Sequence, residues 1–162
     1  MNPYTQTGVL ILCVVIATLS LQTKHSLGSS KKQDKEAIQG IVREFVRAWN
    51  HDDANALVEL FVKDGELDTP REAEAESRSA IRKLLTQDRE ELFQESSLKK
   101  DIRKIRFQGE NRATVEGHYS LAGIEPGMGL VEVSVQGTYI FFLEKHHGAW
   151  FIKKCDIRQS DS

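Results

Sequence analysis

The sequence predicts an α+β fold: a cone-shaped roll of three N-terminal helices packed on a strongly curved antiparallel sheet. Three observations carry the prediction. Apolar residues recur at helical spacing from Ile38 to about Phe93, and beyond Leu98 they alternate with polar ones. The alternating runs are separated by glycine-bearing turns short enough for hairpins, so helices followed by hairpins give the class. Gly137, in the middle of the longest alternating run, marks a bulge or bend of the kind a curved sheet needs.

The 162 residues suit one globular domain with a terminal extension. Gly8 to Leu21 is an apolar run. It is shorter than the roughly 20 residues of a spanning helix and fits the 7–15 residue core of a secretory signal. Residues 1–28 are therefore read as a signal peptide, or alternatively as a membrane-anchoring leader. Met1 to Thr7 carries no Lys or Arg, and the cleavage site is not marked. Residues 29–35 read as a polar linker, and 36–158 as the folded domain. The expected location is outside the cytoplasm, periplasmic or secreted, with membrane contact only through an uncleaved leader.

The first helix carries Ile38, Ile41, Val42, Phe45, Val46 and Trp49 on one face. Asn50, His51 and Asp52 interrupt the pattern. Asp53 can cap a short second helix with Ala56, Leu57, Leu60 and Phe61 inward, ended by Lys63-Asp64-Gly65. Glu66 to Pro70 reads as extended, and Arg71 to Glu76 as a solvated segment. Ser77 or Ser79 can cap a third helix with Ala80, Ile81, Leu84 and Leu85 inward.

Leu98 to Phe107 reads as a charged strand. In Arg112 to Leu121, period two puts Ala113, Val115, Gly117, Tyr119 and Leu121 on one face, with Thr114, Glu116, His118 and Ser120 on the other. Ala122 to Gly129 is a Gly/Pro loop. Leu130 to Leu143 is a long strand with Val135, Gly137, Tyr139 and Phe141 sharing a face, and Trp150 to Arg158 is the last strand.

A helix ending in Ala48-Trp49-Asn50, a short acidic turn, Leu57-x-x-Leu60-Phe61 and an Asp64-Gly65 exit resemble the nuclear transport factor 2-like superfamily. The nearest branch is its small polyketide-cyclase-like (SnoaL-like) and ketosteroid-isomerase-like domains. Gly148-Ala149-Trp150-Phe151-Ile152 matches that family's closing Gly-x-Trp-x-Ile, and the likeness covers Lys35 to Ile157. The resemblance implies a pocket inside the cone and a homodimer paired through the sheet. That fold hosts enzymes, ligand binders and assembly domains, so it does not by itself select an activity.

The resemblance also makes Asp68 the foremost catalytic candidate. Ketosteroid-isomerase-like members place a general-base Asp before a proline after the second helix, as in Leu67-Asp68-Thr69-Pro70. Such a base takes a proton from carbon next to a carbonyl and needs a donor for the developing oxyanion. The tyrosine that serves there is replaced here by Phe45. The alternative for Asp68 is a turn carboxylate holding local amides.

His118, on the same strand face as Glu116, is a second candidate acid or base, or else part of a polar outer face. Asp156, in phase with Trp150 and Ile152, either turns inward or forms an edge salt bridge. Phe45, Trp49, Tyr119 and Tyr139 are expected to build the core and line the pocket together with Asp156.

His146 and His147 are adjacent and diverge, with no third ligand at a metal-binding spacing, so no metal is expected. No cofactor motif is present: Ala122–Gly129 lacks the setting of a phosphate or dinucleotide loop. A net charge of −2 with dispersed Arg and Lys gives no reason to expect nucleic acid. The expected partner is a small apolar or amphipathic molecule. A cofactor-free isomerase, cyclase or dehydratase is the alternative, and a dimerising accessory domain the second alternative.

Overall fold

The computed structural model describes residues 30–71, 73–91, 94–125 and 131–160. The predicted leader, Cys13 and positions 126–130 of the Gly/Pro loop lie outside them. Among the described residues no helix is long and apolar enough to cross a membrane. Contacts divide the chain into Met1–Glu36 and Ala37–Ser162. Apart from residues 30–36 of the first helix, the architecture that follows is that of the second unit.

Helix α1 spans 30–50, so positions 30–35, read as spacer, are helical. Lys31, Lys32 and Gln33 lack an apolar period but are good helix formers. From residue 37 onward the predicted stripe is buried, with Ile38 and Phe45 among the largest fully enclosed side chains. Helix α2 (Ala54–Glu59) starts where Asp53 predicts it, the Asp53 carboxylate accepting from the Ala56 amide. It is shorter than predicted, because Phe61 already opens strand β1 (Phe61–Asp68).

Gly65 is therefore a strand residue and not a helix cap. Strand β1 runs parallel to β7 (Ala149–Gln159), and their register shifts between Phe61 and Glu66. At Gly65 a Cβ would stand 3.0 Å from both the Phe61 Cβ and the Val62 carbonyl, so the irregularity leaves little room for a side chain.

Arg71–Glu76 is not wholly solvated. Glu74–Glu76 forms strand β2, antiparallel to β1, with Ala75 buried. Helix α3 (Arg78–Glu91) follows, and the Ala80 amide donates to the Ser77 hydroxyl at 3.4 Å. Ile81 and Leu85 face the core.

The predicted Leu98–Phe107 strand is two strands, β3 (Gln94–Lys100) and β4 (Lys104–Phe107), both antiparallel to β5 (Arg112–Glu125). With β6 (Val131–His146) these make a seven-stranded sheet of order β2-β1-β7-β6-β5-β3, β4 pairing with β5. All its pairs are antiparallel except β1 with β7. The α+β plan holds: helices lie on one face of a curved, mostly antiparallel sheet.

The β6 register passes unbroken through Gly137, against both Tyr119 and Gln159. Gly137 serves close approach instead of a bulge, since a Cβ there would lie 2.0 Å from the Arg158 carbonyl. The register shift comes elsewhere. Phe142 pairs with Lys154 but Leu143 with Ile152, so Lys153 is the extra residue on β7. One inserted residue flips every later side chain to the other face. Ile152 and Cys155 are both buried as a result.

Candidate functional site

A cavity of about 110 Å³ lies between the helices and the inner sheet face. Phe45 and Trp49 of α1 and Leu85 of α3 form its helical side. Leu98 and Lys100 of β3, Tyr119 and Leu121 of β5 and Val135 of β6 form its sheet side. Leu67, Ile157 and Gln159 close it along β1 and β7, and the exposed Pro70 and Arg71 mark its open end. The wall is mainly apolar and aromatic, the composition typical of small-molecule sites.

Local hydrogen bonds fix these walls. The Trp49 indole N–H donates to the Ser96 hydroxyl at 3.1 Å. The Arg89 guanidinium lies 5.7 Å from the Trp49 ring centroid and is held by Asp52 at 2.9 Å. Asn50, which sequence pattern marks only as a helix breaker, ends α1 and clamps β3. Its side-chain oxygen accepts from the Leu98 amide at 2.7 Å, and its NH2 donates to the Leu98 carbonyl at 3.0 Å. The clamp sets the position of the next inward residue, Lys100.

Lys100 is a candidate site residue that the sequence pattern did not single out. Its Nζ lies 3.9 Å from the Tyr139 ring centroid, 5.0 Å from Phe45, 5.2 Å from Phe141 and 5.4 Å from Tyr119. Each distance is within the range of a cation–π contact. The residue as a whole is half-buried, and it also lines an outer cleft with Val42, Arg43 and Ile102. Burial of the ammonium pushes its pKa down to about 8, with a small opposing effect from Cys155. Cys155 is itself pushed up to about 12 by burial, so at neutral pH it is an uncharged thiol and no counterion. Alternation gave a signal: Leu98 is inward, so Lys100, two residues on, shares its face.

The chain turns sharply after Lys100. A Cβ at Gly117 would sit 2.0 Å from the Asp101 carbonyl, so only glycine admits that carbonyl against β5. The Tyr139 hydroxyl donates to the same oxygen at 2.7 Å, and burial raises its pKa. The Asp101 carboxylate leaves in the other direction. It accepts from the His118 amide at 2.8 Å and meets its Nδ1 at 3.3 Å, and the amide bond holds the carboxyl below its usual range.

Of the residues singled out by sequence, Phe45, Trp49 and Tyr119 line the cavity. Tyr139 lies behind Lys100, buried and facing it with its ring. Asp68 and His118 do not converge. Leu67 and Thr69 line the cavity, which puts Asp68 on the other face of β1, ion-paired with Lys154 at 2.5 Å. His118 is exposed beside Asp101. Asp156 does not turn inward: past the Lys153 bulge, Ile157 and Gln159 take the cavity side, and Asp156 pairs with Arg158 at 2.9 Å. Among the described residues no three His, Cys, Asp or Glu side chains converge on a possible metal position.

The model of the SnoaL-like domain family matches residues 31–156. No curated protein matches the chain. Among solved structures, a scytalone dehydratase-like protein from Novosphingobium aromaticivorans is 21% identical, with a TM-score of 0.73 over 83% of this chain and 89% of that one. Hexachlorocyclohexane dehydrochlorinase from Novosphingobium barchaimii is 12% identical, with a TM-score of 0.76 over 83% and 91%. An NTF2-like protein with a cystatin-like fold from Novosphingobium aromaticivorans is 20% identical, with a TM-score of 0.75 over 86% and 90%. At these identities the structural likeness speaks for the fold alone. The family match covers most of the domain, and the chain belongs to the SnoaL-like family of the nuclear transport factor 2-like superfamily.

Proposed function

We propose that this domain binds a small apolar or amphipathic molecule in the cavity beneath α1, without a cofactor. The observation that carries the reading is the wall itself, with Phe45, Trp49, Leu98, Tyr119 and Leu121 around about 110 Å³. Apolar cavities of roughly 150 Å³ admit a benzene-sized molecule, so a single ring or short chain is the size class. Titration with benzyl alcohol, followed by Trp49 fluorescence in a Trp150→Phe background, tests it. Saturable quenching that Val135→Phe abolishes by filling the cavity supports the reading, and quenching unchanged by Val135→Phe refutes it.

The names of two structural neighbours, a dehydratase and a dehydrochlorinase, favour a second reading: a cofactor-free elimination or isomerisation in the same cavity. In that reading Asp68 is the proton acceptor. Its pairing with Lys154, on the face away from the cavity, weighs against it and puts binding first. An Asp68→Asn variant assayed by proton exchange of a bound ketone separates the two. A lost exchange favours the enzyme, and an absence of exchange in both proteins favours the binder.

Export and pairing of two copies through the outer sheet face belong to the same proposal. Among the described residues Phe142, 40% exposed on β6, is a large apolar side chain available there. Native mass spectrometry of the wild type and Phe142→Lys tests the pairing. A dimer that becomes a monomer supports it, and a monomeric wild type rejects it.

A further inference from the structure

We propose that the cavity takes a small amphipathic carboxylate, whose anion pairs with the Lys100 ammonium while its apolar part lies against Phe45, Trp49 and Tyr119. This rests on the reading that the cavity is a binding site, and it names the ligand class.

An ammonium has three N–H donors and no acceptor capacity. Among the described residues no carboxylate pairs with Lys100 and no hydrogen-bond acceptor meets it; its contacts are the four rings. Ring faces stabilise a cation but accept no conventional hydrogen bond. No fully buried side-chain nitrogen or oxygen among the described residues lacks a hydrogen-bond partner. The Lys100 Nζ therefore keeps accessible surface, and two of the rings beside it, Phe45 and Tyr119, are walls of the cavity. A partly desolvated cation beside a mainly apolar wall selects an anion that brings its own apolar body. A carboxylate supplies two acceptor oxygens and one negative charge, enough to satisfy one ammonium.

The groups facing Lys100 leave that role open. Cys155 of β7 is a thiol, and Tyr119 of β5 and Tyr139 of β6 are held protonated by burial. Arg43 of α1 shares the outer cleft and adds positive charge there. The Asp101 carboxylate is turned to His118. At the cavity wall the remaining charged residues are Arg71 and Asp88.

Calorimetric titration of the whole chain with benzoate and phenylacetate, against their neutral isosteres benzamide and benzyl alcohol, tests the proposal. The acids should bind at least roughly tenfold tighter than the isosteres near pH 7. In Lys100→Met that preference should vanish while the neutral probes still bind. Acid affinity should also fall about tenfold between pH 7 and 9 as the ammonium releases its proton, and Lys100→Met should show no such fall. Neutral probes binding as tightly as acids overturn the carboxylate proposal and leave the binding reading standing. An acid preference that survives Lys100→Met overturns it in favour of Arg71 or Arg43. If neither acids nor neutral probes bind, both readings fall together.

Discussion

Lys100 and Lys154 are two lysines on opposite faces of one sheet, and their surroundings are reversed. Lys154 lies outside, with the Asp68 carboxylate at 2.5 Å and Glu66 at 3.6 Å. The hydrogen bond to Asp68 raises its pKa. Lys100 lies inside among four rings, with no carboxylate paired to it among the described residues, and burial brings its pKa down to about 8. The outer charges are arranged for one another, the ordinary state of a half-exposed sheet face, and such pairs contribute little to stability. The inner charge meets ring faces but no carboxylate among the described residues. It is the feature of this cavity that packing alone does not explain.

The difference can be strained first through the ring cage. Gly117→Ala places a methyl 2.0 Å from the Asp101 carbonyl and 2.8 Å from the Tyr139 ring, so it must move the turn that follows Lys100. It should cost about 2–4 kcal/mol in urea denaturation. A variant as stable as the wild type would mean that the turn is softer than the geometry requires.

The lysines themselves give the sharper contrast. Lys100→Met removes a desolvated cation that only ring faces offset and leaves an apolar side chain suited to aromatic walls, so it should stabilise the fold by roughly 1–3 kcal/mol. Lys154→Met should destabilise it by less than about 1 kcal/mol. Equal effects of the same sign would erase the distinction between the two faces.

The dependence on pH follows with a definite sign. Below about pH 8 the folded and unfolded chains both carry the Lys100 proton, and the fold bears the burial cost. Between about 8 and the unfolded value of 10.5 the unfolded chain binds a proton that the folded chain has released, so stability rises with pH. Cys155 acts in the opposite sense above its unfolded value of 9, because the buried thiol stays protonated up to about 12. Thermal denaturation should therefore show a net gain confined to about pH 8–9, where Lys100 acts unopposed by Cys155. That gain should be absent in Lys100→Met.

The smallest effect belongs to the outer face. Asp68→Asn should change benzyl alcohol affinity by less than about twofold, since its carboxylate lies away from the cavity. A larger change would bring Asp68 back to the site.

These contrasts also separate what the sequence makes legible from what it hides. The helical stripe through Ile38, Phe45 and Trp49 and the inward row Ala113, Val115, Tyr119 and Leu121 can be read directly, because 3.6 and 2 residue periods are local properties. Strand β2 escapes because Ala75 is its only buried residue, too short a run to establish a period. The role of Asp156 escapes because Lys153 is an extra residue, and one insertion reverses a face without leaving a mark in composition. Gly137 draws attention to the wrong position for that shift: it is needed for backbone approach, while the bulge is at a lysine. Lys100 is readable by counting from Leu98, but Lys99-Lys100 next to Asp101 looks like an exposed charged segment. What decides otherwise is the convergence of Phe45, Tyr119, Tyr139 and Phe141 from three separate elements.

Lys100 is a largely enclosed cation with no carboxylate paired to it among the described residues, and its own titration tests that most directly. Lysine labelled with 13C at Cε, followed by NMR from pH 6 to 12, reports each ammonium separately. One resonance should titrate near 8 and be missing from Lys100→Met, while the Lys154 resonance titrates above 10.5. A Lys100 resonance that titrates with the exposed lysines would contradict the account.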